Sequence, residues 1–163
     1  MEIKQIQSVI NGAVSTIQIP GSWSPPKTNW YGHTDDNGDY QGDRFNAEDY
    51  NRIKNNIQFL RDLAVKMYAD FDIVNMGSDK DPANYPYADE INLIENNLDT
   101  VVSHTLHKNY GGRQIFTDNG AFIDYKELNR IENASLDLYN HLYSQYEGRR
   151  TLTFMLGNGR EVF

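Results

Sequence analysis

The sequence predicts an α+β fold: a three-helix bundle of repeated helical segments, with N- and C-terminal β-hairpins placed to form one small antiparallel sheet. Three observations predict it. A seven-residue pattern (acidic, apolar, Asn, any, Ile, charged, Asn) occurs at residues 49–55, 90–96 and 127–133, with its first asparagines 41 and 37 residues apart. Each copy opens a run of apolar residues at helical spacing. Both ends of the chain instead alternate apolar and polar residues, the period of a strand.

Taken in order, residues 3–10, the pair Asn11-Gly12 and residues 13–19 read as strand, turn and strand, because Asn-Gly is the favoured pair for a type I′ hairpin turn. Residues 20–44 hold Pro20, Pro25, Pro26 and several glycines with no period, which predicts a long ordered loop carrying Trp23, Trp30, Tyr31 and Tyr40. The first helix starts after a capping Asn46 and carries a seam of Tyr50, Ile53, Ile57, Leu60, Ala64, Met67 and Phe71. Pro86 suits the start of the second, whose stripe is Ile91, Ile94, Leu98 and Val101. Asp124 and Glu127 stand in capping-box register before the third, with Leu128, Ile131, Leu138 and Leu142. Residues 108–121 leave room for a short hairpin. Leu152, Phe154 and Leu156 alternate ahead of Gly157-Asn158-Gly159, which predicts a closing hairpin. The expected organisation is one domain over 1–163: a hairpin at 1–20, an aromatic, Pro- and Gly-containing loop at 21–45, a three-helix unit at 46–148 and a hairpin at 150–163.

Composition excludes several classes of function. The formal charge is −8, so the chain is unsuited to nucleic acid or an anionic membrane, both of which reward a basic surface. No apolar run reaches the ~20 residues of a membrane span, and the first residues lack the layout of a signal peptide. With no cysteine, disulfides, thiolate metal sites and cysteine nucleophiles are ruled out. Eighteen asparagines and eleven tyrosines suit turns and caps, and equally a surface that meets carbohydrate or protein.

The repeated Asn51 and Asn55, Asn92 and Asn96, and Asn129 and Asn133 lie one helical turn apart beside Ile53, Ile94 and Ile131. Asparagine is a mediocre helix former, so its recurrence calls for hydrogen bonding to a neighbouring loop or helix, or for a polar stripe that docks a partner. Trp23, Trp30, Tyr31, Tyr85 and Tyr87 are the candidate ligand platform, against the alternative that they pack over the helices. The acidic stretch Asp35-Asp36-Asn37-Gly38-Asp39 is the nearest approach to a calcium loop. It misses the register, because the position for a closing carboxylate holds Asn46, so a solvated turn is the simpler reading. His104 and His107 lack a third ligand at metal spacing, and a last-turn histidine also favours the helix dipole. No serine sits in a nucleophile elbow and no phosphate loop is present. The expectation is therefore no catalytic residue, no metal and no cofactor.

Pro26-Lys27-Thr28-Asn29-Trp30, followed by Asp43-Arg44-Phe45-Asn46-Ala47-Glu48-Asp49-Tyr50-Asn51-Arg52-Ile53, resembles a segment of tail or baseplate-associated structural proteins of phages and prophages of Gram-positive gut bacteria. The likeness covers roughly residues 26–60, and Ile3-Lys4-Gln5-Ile6 looks like the first strand of such proteins. Asn29 stands where that segment has Asp, and thirteen residues separate Trp30 from Arg44. The resemblance implies a virion structural role, in the phage tail or in the bacterial cytoplasm when expressed from a prophage. It implies assembly with other tail proteins or as a homo-oligomer. A carbohydrate- or host-receptor-binding module, with a surface glycan as partner, is the alternative.

Overall fold

The computed structural model describes residues 6–10, 13–17 and 22–157, with side chains from 22 to 152. Strands β1 (Ile6–Ile10) and β2 (Ala13–Ile17) pair antiparallel from Ile6 opposite Ile17 to Ile10 opposite Ala13. The Asn11-Gly12 turn lies outside the described residues. A second two-stranded sheet, β3 (Gly32–Thr34) with β4 (Tyr40–Gly42), interrupts the segment expected to be loop. Its turn is made by Asp35, whose carboxylate accepts the Asn37 and Asp39 N–H groups, and by Gly38 at φ +88°, a conformation that suits glycine.

The helices are α1 (Ala47–Ala64), α2 (Ala88–Ser103) and α3 (Tyr125–Gly157). Asn46 caps α1 in a reciprocal capping box with Asp49. α1 ends at Ala64, a turn or more before the expected seam does; Met67 and Phe71 pack on the core from the connection that follows. At α3 the box is half-formed. Asp124 accepts the Glu127 N–H at 2.9 Å, but Glu127 turns to Gln114 and Arg130. The apolar stripes meet in one core, in which Ile57, Leu60, Leu63, Val101, Leu138 and Leu142 are fully buried.

The expected C-terminal hairpin is overturned. α3 runs to Gly157, so Leu152, Phe154 and Leu156 lie in helix and the described part of the C-terminal segment cannot join β1 and β2 as a sheet. The chain has no proline after Pro86, and nothing stops the helix after Leu142; Gly148 is passed at the modest cost of one helical glycine. The expected hairpin within 108–121 is also absent: no strand is assigned there, and the segment is extended along α2 and α3 before a turn closed by the Gly120 N–H on the Thr117 carbonyl.

Each helix is preceded by an extended strap, and each strap runs antiparallel to two helices. Residues 71, 77 and 80 bond Arg61, Lys54 and Asn51 of α1 in descending order, while Val74 and Lys80 meet Asn97 and Glu90 of α2. The strap before α3 meets Asp137 and then Glu127 of α3, and Asn96 and then Asn92 of α2. The strap before α1 passes Tyr139 and then Asn129 of α3, and Phe59 and then Asn56 of α1. The three helices are therefore parallel, and the three strap–helix units stand around a pseudo-threefold axis.

Candidate functional site

The repeated asparagines are what bind the units together. Asn51 accepts the Lys80 N–H at 2.8 Å and donates to the Lys80 carbonyl at 2.9 Å. Asn92 does the same for Phe116 at 2.9 and 2.7 Å, and Asn129 for Trp30 at 2.8 and 2.9 Å. Each helix thus grips the strap of the next unit, in a closed cycle. Five residues further along, Asn56 and Asn97 grip their own straps through both backbone groups of Ser24 and Val74, and both are buried. The third copy has Ala134 at that position. A side-chain amide matches one residue's N–H and C=O, so an extended strap is held without a neighbouring strand. The second asparagine of each pair sits further out. Asn55 bonds Asp79, Asn96 accepts from Arg113, and Asn133 bonds the Asn129 carbonyl.

Ion pairs follow the same cycle on two of the three edges. Arg52 of α1 bridges Asp49 and the buried Glu132 of α3. Arg130 of α3 bridges Glu127 at 2.8 Å and the fully buried Glu95 of α2. Burial pushes the Glu95 carboxyl up to about 7 against the pull of Arg130, and the neighbouring Glu127 carboxylate adds to the rise. Glu127 would also rise on burial, but Arg130, Glu95 and the Gln114 N–H hold it below its ordinary value. Burial likewise raises Glu132, only partly offset by Arg52. On the third edge Leu93 takes the arginine position and Lys54 the glutamate position. Lys54 is buried and turns to the Gly77 carbonyl at 2.9 Å and to Asp79 at 2.8 Å.

The candidate aromatic platform divides. Trp30 is 3% exposed and Trp23 stacks on Tyr139 at 4.2 Å, so both are part of the packing rather than a platform. Tyr31, Tyr85 and Tyr87 are exposed, in the segments that lead to the starts of the parallel helices. Between Tyr87 and the turn at 117–120 lies an open cleft of about 390 Å³, walled by Ile91, Phe116, Phe122 and Ile123. A shallower depression of about 310 Å³ lies over Asn140 and His141 on α3. His104 bonds the Thr100 carbonyl and stacks on Phe71, and His107 takes a left-handed φ of 51° just beyond α2. Among the described residues no group of three or more His, Asp or Glu side chains is arranged to hold a metal, and no helix is long and apolar enough to cross a membrane.

No family model matches this chain, and no curated protein or solved structure matches it. The cleft residues Phe116, Phe122 and Ile123 were not singled out from the sequence. They lie in an unpatterned strap and meet Tyr87 only through the fold.

Proposed function

We propose that this chain is a non-enzymatic assembly protein of a phage or prophage tail or baseplate, acting in the virion or, when expressed from a prophage, in the bacterial cytoplasm. The observation that carries the reading is where the resembling segment lies. Lys27 pairs with Asp43 at 2.8 Å and sits 4.2 Å from the Trp30 ring centre. Trp30 is gripped by Asn129, Asn46 and Asp49 cap α1, and Arg52 reaches Glu132. Tyr50 and Ile53 are buried. These residues build a scaffold, which is the role that the resemblance implies. The β1–β2 hairpin adds a means of assembly. Among the described residues each strand pairs only with the other, a lone hairpin is marginal in water, and an open edge accepts a further strand. Light scattering on the purified chain tests this. An oligomer, or a complex with other tail components, is expected; a strict monomer without affinity for such components contradicts it.

A second reading, a module that binds a surface glycan or host receptor, is favoured by Tyr31, Tyr85 and Tyr87. These rings are 58%, 69% and 71% exposed. Binding on a glycan array that is lost in tyrosine-to-alanine variants is the expected result for that reading.

A further inference from the structure

We propose that the cleft between the start of α2 and the strap before α3 binds a neutral saccharide. The inference rests on the second reading and gives it a site and a ligand class. At about 390 Å³ the cleft is within the size range of small-molecule sites. Its floor is apolar, with Ile91, Phe116 and Ile123 all buried, and its mouth carries Tyr87 and Phe122, 71% and 55% exposed.

The pseudo-threefold supplies an internal control. The residue before the gripping asparagine is Tyr50, Ile91 or Leu128 in the three units. Where α1 meets the strap of the next unit, the corner is filled by Tyr50, 1% exposed, with the Lys80 ammonium 5.6 Å from its ring centre. Where α3 meets the strap before α1, Trp30 and Phe45 fill the corner, rings 6.1 Å apart. At the α2 corner the smaller Ile91 replaces the tyrosine, and the space is left open. The opening is thus a property of this unit and not of the architecture.

The lining has the chemistry of sugar recognition. The apolar C–H face of a pyranose packs on exposed aromatic rings, and its hydroxyls need donors and acceptors at the rim. Thr117, Asp118 and Asn119 supply these, and their side chains have no hydrogen-bond partner among the described residues. Asp118 at the rim and the charge of −8 disfavour anionic sugars. Tyr87 occupies the N-cap of α2, where Ser, Thr, Asp or Asn is preferred, and its side chain gives the helix no capping bond. The ring serves no cap; the Lys80 ammonium lies 5.6 Å from the ring centre, which leaves the ring at the cleft mouth.

The test is titration of the full chain with neutral hexose and N-acetylhexosamine oligosaccharides, followed by amide chemical shifts. Shifts confined to residues 87–91 and 116–123 are expected. Tyr87→Ala removes the ring from the mouth, and Ile91→Tyr fills the corner as Tyr50 does; each is expected to weaken binding about tenfold or more, while Tyr31→Ala is neutral. Tyr87 is at the surface, so that variant tests the site even where Ile91→Tyr does not fold. Binding that survives Tyr87→Ala but is lost in Tyr31→Ala overturns the cleft and leaves the glycan reading standing. No binding of any neutral saccharide overturns both. Neither outcome touches the assembly reading.

Discussion

The α2–α3 edge and the α1–α2 edge occupy equivalent places in the pseudo-threefold, yet they are built from opposite chemistry. On the first, Arg130 holds two carboxylates, Glu95 and Glu127, away from water. On the second, Leu93 replaces the arginine, and Lys54 replaces the glutamate that would have faced it. The two changes belong together, since a glutamate at 54 would be buried opposite leucine without a cation. Both edges keep the asparagine grip on the strap, through Asn92 on one and Asn51 on the other. The shared architecture therefore resides in amide-to-backbone bonds, and the ion pairs are local solutions to burial.

The largest expected effect comes from breaking the charged edge. Arg130→Met leaves Glu95 and Glu127 buried without a cation and is expected to cost about 3–5 kcal/mol in denaturant unfolding at about pH 9, above the range in which Glu95 takes up its proton. Adding Glu95→Gln to it should recover part of that loss, and no recovery would mean that the charge is not the cause. Lys54→Glu should destabilise the other edge by about 3 kcal/mol, and adding Leu93→Arg should restore much of it by rebuilding the pattern of its neighbours.

Removing one grip is expected to cost less. Asn51→Ala or Asn92→Ala strips a strap residue of partners for both backbone groups, worth about 2 kcal/mol by the same assay. The pH dependence separates the edges further. Glu95 binds its proton more tightly folded than unfolded, so its contribution is complete below its ordinary value of 4.5 and is lost as pH rises through about 7. Stability should fall across that window, and Glu95→Gln should flatten the slope. The smallest effect belongs to Glu147–Arg150, which has the spacing of Glu127–Arg130 but is about a third exposed. Glu147→Gln should change stability by less than about 0.5 kcal/mol.

Much of this was legible in the sequence, and the rest was hidden for physical reasons. The repeat announced three helices, because a buried stripe and a required amide both constrain side chains. The straps left no trace, since Asn51, Asn92 and Asn129 bond the backbone of Lys80, Phe116 and Trp30, and any residue can supply that. The β3–β4 insertion concealed the equivalence further by separating Trp30 from Asn51 by 21 residues, where Lys80 and Asn92 are 12 apart. At the C-terminus, Leu152, Phe154 and Leu156 alternate like a strand, but a helix already running from Tyr125 needs only one more bond per residue to continue. Of the cleft, Tyr87 was legible as an aromatic beside a proline. Phe122 and Asp118 were not, because only the fold brings them opposite it.

The central claim is that asparagine side chains hold irregular straps as firmly as a helix holds its own backbone. Amide hydrogen exchange measured residue by residue tests it most directly. The claim predicts that the Trp30, Lys80 and Phe116 amides exchange about as slowly as that of Ile53 inside α1, and that Asn92→Ala releases Phe116 first. Exchange of those three amides at the rate of an open loop in the unmutated chain would contradict it.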